Sequence, residues 1–434
     1  MEREMFARLR EWKEKKGRKP LVLFGARQVG KTWLLQEFGR REYENTAYIN
    51  CDNNPAMAGL FFDYDIDRLL RGFSAVAGTP IRKEKTLIIL DEIQEVPLAL
   101  TSLKYFQEKA PEYHIATAGS LLGLSTHQGT GYPVGKTDEL TLYPLSFHEF
   151  LRAQGKDALL DILRTNGWEE IAPFREILTD QLRQYYYVGG MPGPVREYIE
   201  TNDIATVRDV QNQILRDYEN DFSKHIPPDQ LPKVRMIWNA IPSQLAKENK
   251  KLVYSQIRKG ARGKNFETAI QWLTDAGLVY RANRVSKVEY PLKFYEDPNS
   301  FKLFMVDLGL LGAMSQVQAS QVLAGTSAFV EYKGAFTEQY VCQALKTEEI
   351  SPWYHSNDRS TLEIDFVIQT DQVYPIEVKA EENLRSKSLK TVVDGHPGMK
   401  GWRFSMSGYR EQDWMINVPL YMVPGWVRMK SRFE

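Results

Sequence analysis

The sequence predicts an α/β protein that begins with a parallel sheet covered by helices on both faces. Apolar runs of strand length recur at Leu21–Phe24, Ala47–Asn50, Thr86–Leu90 and His114–Ala118, and helical stretches such as Ala99–Lys109 separate them. Strands that alternate with helices favour parallel pairing, because each helical crossover returns the chain to the same end of the sheet. The fold class is therefore α/β, with further segments after the first sheet.

The alternation weakens near Pro144, and four parts are predicted along the chain. The parallel-sheet core spans 1–145, a mostly helical segment 146–225, a segment similar to a winged helix 226–290, and a second α/β domain 291–434. The cluster Gly189–Pro194 interrupts the helical segment, because glycine and proline disfavour the interior of a helix.

Composition excludes several classes of protein. The 434 residues include 56 Lys+Arg and 56 Asp+Glu, so bulk charge does not attract the chain to nucleic acid or to an anionic membrane. No apolar run approaches the roughly 20 residues of a membrane span. Met1–Pro20 is charged and lacks the apolar stretch of a secretory signal. Cys51 and Cys342 have no metal or disulfide spacing. We expect a soluble, cytoplasmic protein without disulfides or structural zinc.

A glycine-rich loop follows the first apolar run. Gly25–Thr32 fits G-x-x-x-x-G-K-[ST] and lies between a predicted strand and a predicted helix. Glycines let backbone N–H groups surround a phosphate, and the helix N-terminus adds partial positive charge. Lys31 is predicted to reach the β- and γ-phosphates of ATP, and the Thr32 hydroxyl to bind Mg²⁺. The predicted nucleotide-binding residues are Gly25, Ala26, Arg27, Gln28, Val29, Gly30, Lys31 and Thr32.

Two carboxylates follow a later apolar run, about 60 residues after the loop. Asp91 and Glu92 come at the carboxyl end of a strand, which is where an α/β sheet binds its ligands. Asp91 is predicted to hold Mg²⁺, and Glu92 to orient and deprotonate the attacking water. Ser120, after the next strand, is predicted to contact the γ-phosphate or the water, with Thr117 as second choice. Ser120 fits a helix N-cap equally well.

These motifs together carry a resemblance to a family. Gly25–Thr32, Leu90–Gln94, Ala118–Leu122, Tyr143–Phe150 and Gly189–Pro192 resemble a bacterial and archaeal group of AAA-type P-loop ATPases fused to a C-terminal domain of unknown function. The resemblance implies an AAA-type core, a helical lid, a winged-helix segment and a C-terminal domain similar to restriction endonucleases.

An arginine finger is expected from a partner or from the helical segment. Arg196 and Lys136 are candidates, and an ordinary surface charge is the alternative reading of both. Related ATPases often have Gly-Arg where this chain has Gly135-Lys136, which weakens an arginine role at that position.

A basic segment over 247–264 precedes a predicted helix at Phe266–Ala276. Tyr254–Ile257 is predicted to form a short helix, and Leu278 to begin a wing strand, so the order is typical of a winged helix. DNA binding through phosphate contacts is one interpretation, and a protein-binding winged helix is the other. The cations of this segment are Lys247, Lys250, Lys251, Arg258, Lys259, Arg262 and Lys264.

The C-terminal part contains a pattern similar to restriction-type nucleases. Two alternating strands around the turn 370–372 place Asp365, Glu377 and Lys379 on converging faces. Glu338, on a predicted helix over 334–345, adds a fourth group. Carboxylates in such a set are predicted to bind Mg²⁺, and the lysine to activate water. A nuclease fold that only docks a partner is the alternative.

The sequence thus predicts a Mg²⁺-dependent ATPase whose nucleotide state is coupled to a winged-helix and nuclease-like module that acts on or senses DNA. A nucleotide-gated nuclease of defence or repair and a non-catalytic signalling switch are the alternatives. ATP or ADP is the expected ligand, membrane binding is not expected, and a homo-oligomer is left open.

Overall fold

The computed structural model describes residues 1–52, 54–119, 133–165, 167–246, 252, 254–257, 263–323, 330–357, 362–380 and 386–431. The chain forms two compact units. The first unit comprises Glu2–Tyr143 and Asp275–Gly277, and the second comprises Met1, Pro144–Thr274 and Leu278–Glu434. The four-part division predicted from the sequence is finer than these two units and stays a prediction.

A five-stranded sheet is the centre of the first unit. Its order is β2-β3-β4-β1-β5, and all its pairings are parallel. The strands are β1 (Leu21–Phe24), β2 (Asn45–Asn50), β3 (Thr86–Asp91), β4 (His114–Ala118) and β5 (Asp138–Thr141). The helices are α1 (Met5–Glu14), α2 (Lys31–Glu42), α3 (Pro55–Leu60), α4 (Ile66–Ala77) and α5 (Pro97–Lys109), with a 3₁₀ turn at Ile93–Glu95.

Strand β3 shows why this sheet is covered on both faces. All six of its residues are buried. Ile88 and Leu90 belong to one apolar core, which contains Phe73 of α4 and Phe106 of α5. Leu87 and Ile89 belong to the opposite core, with Trp12 of α1 and Phe38 of α2. Because side chains alternate along a strand, an uninterrupted apolar run requires an apolar layer on each side. The predicted α/β architecture of this unit is confirmed.

The second unit begins with helices. Those before the second sheet are α6 (Phe147–Ala153), α7 (Asp157–Arg164), α8 (Trp168–Ile171), α9 (Arg175–Val188), α10 (Pro192–Thr201), α11 (Ile204–His225), α12 (Leu231–Leu245), α13 (Tyr254–Ile257) and α14 (Glu267–Asp275). Two 3₁₀ turns, Ala172–Phe174 and Gly263–Asn265, lie among them. Within the described parts of the chain, none of the helices combines the length and the apolar composition that crossing a membrane requires.

An eight-stranded mixed sheet follows, in the order β12-β13-β11-β10-β9-β8-β6-β7. Its strands are β6 (Val279–Val285), β7 (Glu296–Met305), β8 (Trp353–Ser356), β9 (Glu363–Gln369), β10 (Val373–Lys379), β11 (Gly401–Ser405), β12 (Arg410–Glu411) and β13 (Met415–Pro419). The remaining helices are α15 (Leu308–Met314), α16 (Ala319–Leu323), α17 (Val330–Thr347), α18 (Lys387–Asp394) and α19 (Val423–Ser431), with 3₁₀ turns at Leu292–Tyr295 and Leu420–Met422.

The boundary predicted after residue 290 falls inside this sheet. Strand β6, expected as a wing strand, pairs antiparallel with β7 and parallel with β8. A strand that pairs on both sides is an internal strand and contributes to the same sheet as the C-terminal strands. The winged-helix identity of 226–290 stays a prediction.

The Gly189-Gly190 turn separates α9 from α10, as predicted. Gly189 has φ 75°, and a Cβ there would overlap Oδ1 of Asp307. The Gly190 N–H donates to Asp307 Oδ2 at 2.6 Å, and Asp307 Oδ1 accepts from Leu310 N at 3.0 Å, which caps α15. A side chain at Gly189 would displace this carboxylate, so the close approach requires glycine.

Candidate nucleotide-binding site

The loop between β1 and α2 has an unusual backbone. Gly25, Gln28 and Gly30 have positive φ angles of 149°, 63° and 96°. A Cβ on Gly25 would overlap the carbonyl oxygen of Leu142. Gly30 is the N-cap residue of α2, so the amides of the first helical turn follow directly after it. A loop that turns tightly before a helix N-terminus is suited to bind an anion.

Lys31 is one of the two cationic residues of this loop, the other being Arg27. Its Nζ donates to the carbonyl oxygens of Gly25 and Ala26, each at 2.9 Å. Burial lowers the pKa of Lys31 to about 8, against the opposing influence of Glu92 and Asp91. The amine thus lies on the concave side of the loop and close to the acidic end of β3.

Thr32 and Asp91 are in direct contact. Thr32 Oγ1 donates to Asp91 Oδ2 at 2.8 Å, and Tyr48 Oη donates to the same oxygen at 2.9 Å. Asp91 is the last residue of β3 and is buried. A hydroxyl and a carboxylate are oxygen donors of the kind that Mg²⁺ prefers. These two residues can therefore hold the metal of a nucleotide complex.

Glu92 has a strained backbone. Its φ of 50° and ψ of 44° lie in the left-handed region, and its N–H donates to Asp91 Oδ1 at 3.1 Å. Its Oε2 accepts a hydrogen bond from Gln94 Nε2 at 2.5 Å. Strained non-glycine residues concentrate at functional sites. Glu92 is thus next to the candidate metal ligand, with its carboxylate held by Gln94.

Three residues of this site are not among the site residues predicted from the sequence. Tyr48 reaches Asp91 from the neighbouring strand β2, Gln94 holds Glu92, and Arg3 donates to the Val29 carbonyl at 3.2 Å and to the Tyr143 carbonyl at 2.6 Å. The polar Gln94, two residues after Glu92, is a signal that sequence reasoning can use. Arg3 offers no such signal, because its partners lie far along the chain.

The other predicted residues of the ATPase site have separate outcomes. Ser120 lies outside the described residues. Thr117 is fully buried, and its hydroxyl donates to the Leu21 carbonyl at 3.2 Å, so it is bonded to the neighbouring strand. Lys136 Nζ lies 3.0 Å from Glu108 Oε1, which makes it a surface ion pair. Arg196 is exposed on α10. The arginine finger stays a prediction.

The nuclease-like residues lie in and beside the second sheet. Strands β9 and β10 form the predicted hairpin, and Asp365 Oδ2 accepts a hydrogen bond from Val378 N at 2.7 Å. Lys379 Nζ lies 2.9 Å from Glu377 Oε1. Glu338 is buried on α17, 3.5 Å from Nζ of Lys302, a residue that sequence reasoning missed.

Within the described residues, no three His, Cys, Asp or Glu side chains converge closely enough to hold a metal ion. The predicted Mg²⁺ role of Glu338, Asp365 and Glu377 therefore does not follow from their geometry and stays a prediction.

The basic segment falls mostly outside the described residues, which include only Lys264 of its seven cations. The short helix predicted at Tyr254–Ile257 is α13, and the helix predicted at Phe266–Ala276 is α14. Gly277, with φ 68°, follows α14 as predicted, and β6 begins at Val279. DNA binding by this segment stays a prediction.

Family profiles match three parts of the chain. Residues 17–151 match an AAA domain, residues 179–321 a domain of unknown function named DUF8612, and residues 333–417 a domain of unknown function named DUF4143. The AAA match covers the glycine-rich loop and the acidic end of β3. The geometry and this match make residues 17–151 similar to the P-loop domain of AAA-type ATPases. The search of curated proteins gives no match.

Solved structures give weak overall similarity. The Walker-type ATPase PABY2304 of Pyrococcus abyssi is 15% identical with a TM-score of 0.44, over 72% of this chain and 95% of its own. The Orc1 protein of Aeropyrum pernix in complex with DNA is 15% identical with a TM-score of 0.28, over 73% and 93%. Cdc6p of Pyrobaculum aerophilum is 10% identical with a TM-score of 0.25, over 74% and 93%. At these TM-scores the solved structures carry no argument, and the similarity of the first unit to P-loop ATPase domains rests on its site and on the AAA match.

Proposed function

We propose that this protein binds ATP with Mg²⁺ and hydrolyses it to ADP and phosphate. The observation that supports this most directly is the contact of Thr32 Oγ1 with Asp91 Oδ2 at 2.8 Å. It joins the glycine-rich loop to the acidic end of β3, so one phosphate-bound metal can reach both side chains. Gly25 and Gly30 shape the loop around the phosphates, and Lys31 supplies the positive charge.

Each residue then has a chemical role. Lys31 and the amides of the α2 N-terminus neutralise the β- and γ-phosphates. Thr32 and Asp91 would hold Mg²⁺, which when bound stabilises the charge that develops on the phosphates. Glu92 orients the attacking water and accepts its proton on a carboxylate oxygen. Gln94 donates to Oε2, so the other carboxylate oxygen of Glu92 can accept the hydrogen bond from the water.

Steady-state turnover and nucleotide binding, measured in the same variants, test this proposal. Lys31→Ala should abolish ATP binding, because it removes the charge that faces the phosphates. Glu92→Gln should bind ATP normally but hydrolyse it at about one hundredth of the wild-type rate or below, because an amide cannot accept the proton. Equal turnover in Glu92→Gln and in the wild type would contradict the assignment of the base.

We propose further that the second unit couples the nucleotide state to DNA. The seven cations of 247–264 support contact with phosphates, and the order α13, α14, β6 fits the winged helix predicted there. Turnover measured with and without duplex DNA, together with the mass of the complex with and without ATP, tests this coupling. If DNA neither changes turnover nor binds at low salt, the partner is of another kind.

A nucleotide-gated nuclease is a second candidate, because the β9–β10 hairpin brings Asp365 next to the strand of Glu377 and Lys379. Mg²⁺- or Mn²⁺-dependent cutting that is lost in Asp365→Ala and in Lys379→Ala would favour it. No cutting of DNA or RNA with either metal would reject it. Negligible turnover with retained ADP would favour the signalling switch instead.

A further inference from the structure

The ammonium group of Lys302 is enclosed inside the second unit. Lys302 lies on β7, and its side chain has 0% exposure. Its Nζ lies 2.6 Å from Glu363 Oε1 and 3.5 Å from Glu338 Oε2. The ring of Tyr354, whose centroid is 4.9 Å away, also faces it. Two carboxylates and the face of an aromatic ring are the surroundings that stabilise a buried cation.

Lys302 interacts with more than one element of the fold. Glu338 belongs to α17, whereas Glu363 and Asp365 belong to β9. Burial on its own lowers the pKa of Lys302, but Glu338, Glu363 and Asp365 raise it above its ordinary value. The Lys302 side chain, close to one carboxylate of the helix and one of the strand, therefore links α17 to the sheet.

The remaining carboxylate of this region also has cations beside it. Glu377 Oε1 lies 2.9 Å from Lys379 Nζ, and Glu377 pairs in register with Arg403 of β11. Glu338, Glu363, Asp365 and Glu377, hereafter the acidic cluster, thus have Lys302, Lys379 and Arg403 as neighbours. Most of the negative charge that would attract a divalent metal is already balanced by side chains.

We propose that Lys302 is the resident cation of the acidic cluster, which therefore holds its carboxylates together without a divalent metal. A metal ion at this place would have to displace a buried ammonium from two carboxylates. A cluster of this kind stabilises the domain and does not activate water, so the second unit binds its partner without cutting a phosphodiester. The proposal does not depend on ATP hydrolysis by the first unit.

Mn²⁺ titration of the full-length chain, followed by electron paramagnetic resonance without nucleotide, tests the proposal. Wild type and Asp365→Asn should bind Mn²⁺ equally weakly. Lys302→Met keeps the length of the side chain but removes its charge, so it should gain one site at least tenfold tighter. Adding Asp365→Asn to Lys302→Met should remove that site. Lys379→Met is the matched control and should gain none, because Lys379 is 37% exposed and water can replace it beside Glu377.

Three results would overturn the proposal. The first is a wild-type Mn²⁺ site that Asp365→Asn abolishes, and the second is metal-dependent cutting of nucleic acid that requires Asp365. The third is a folded Lys302→Met that gains no site. If Lys302→Met does not fold, the double variant Lys302→Met/Glu338→Gln removes one charge of each sign and should recover a cooperative thermal transition. Failure of this rescue would equally reject the role of Lys302.

Discussion

Oδ2 of Asp91 accepts two hydroxyl hydrogen bonds, from Thr32 at 2.8 Å and from Tyr48 at 2.9 Å. The two donors have different tasks when a metal binds. If Thr32 holds the metal, it would do so through a lone pair of its oxygen, while its hydrogen can still be donated to Asp91. Tyr48 comes from the neighbouring strand and has no such task. Tyr48 therefore helps to keep the Asp91 carboxylate oriented, together with the Glu92 N–H that donates to Oδ1.

Tyr48→Phe should raise the Mg²⁺ concentration for half-maximal ATP turnover by up to about tenfold. One hydrogen bond to a charged group contributes roughly 1.5 kcal/mol, which corresponds to about that factor. KM for ATP at saturating Mg²⁺ should stay unchanged. Tyr43→Phe is the matched control, because its hydroxyl bonds to His114 Nδ1, 2.7 Å away, and not to Asp91. The same Mg²⁺ dependence in all three proteins would contradict this role.

Asp307 is a fully buried acid with an unusual pKa. Burial raises the pKa of Asp307 to about 6 from 3.8, although the N–H groups of Gly190, Leu310 and Gly309 lower it. The folded state thus binds a proton more tightly than the unfolded state. The resulting stabilisation is complete below the unfolded pKa and is lost as the pH rises through 6.

Denaturant unfolding between pH 4 and pH 7 measures how much stability the protonation of Asp307 contributes. The free energy of unfolding of the wild type should fall, relative to that of Asp307→Asn, by at most about 3 kcal/mol across this range. Because the two proteins share all other titrating groups, the difference between their curves isolates Asp307. Parallel curves would mean that hydrogen bonding to the carboxylate fully offsets its burial.

At the scale of elements, the Gly189-Gly190 turn requires glycine at position 189 for two reasons, its positive φ angle and the lack of room for a Cβ. Gly189→Ala should lower the free energy of unfolding by about 3 kcal/mol or more, because its Cβ would overlap Asp307 and the backbone of Gly309. Gly155→Ala is the matched control, since Gly155 has φ 71° but nothing within 4 Å of an added Cβ. Gly155→Ala should lower the free energy of unfolding by only about 1 kcal/mol. Equal losses of stability in Gly189→Ala and Gly155→Ala, measured by thermal unfolding, would show that the positive φ angle alone determines the cost and that the close approach to Asp307 adds nothing.

Elements with an uninterrupted apolar pattern could be predicted closely from the sequence. Strands β1 and β4 have the predicted bounds, and β3 extends one residue further, to Asp91. Strand β2 begins at Asn45, two residues before the predicted start. Asn45 and Thr46 are polar and lie on an edge strand, so the apolar pattern did not include them.

The candidate sites could be predicted only where a local motif exists. Gly25–Thr32 and Asp91-Glu92 are such motifs, and the structure brings Thr32 and Asp91 together. Lys302 is a charge in an apolar stretch of β7, and its partner Glu338 is on another element. Nothing in the sequence indicates which distant acid such a lysine meets, because that depends on how the strands and the helix pack.

At the scale of the whole molecule, each compact unit contains one buried, free cysteine. Cys51 lies in the first unit and Cys342 in the second. Burial raises the pKa of the Cys51 thiol to about 12, so it reacts slowly while the first unit is folded. The two thiols therefore report on the unfolding of the two units separately.

Pulsed alkylation with mass spectrometry, along a denaturant series, should give two transitions. Mg²⁺ and ATP at 100 times their dissociation constant should stabilise the unit of Cys51 by about 2.7 kcal/mol, and Glu92→Gln keeps the ATP intact during the experiment. The transition of Cys342 should stay in place. A common shift of both transitions would show that the two units unfold together.

The contact of Gly190 with Asp307 has a practical consequence for dissecting the chain. A truncation after residue 290 would follow the predicted boundary, yet it would remove the acceptor of the Gly190 amide and the strand that pairs with β6. Such a fragment would expose apolar surface and is expected to aggregate on expression. Fragments for crystallisation or binding assays are better cut near Tyr143 and Pro144, where the first compact unit gives way to the second.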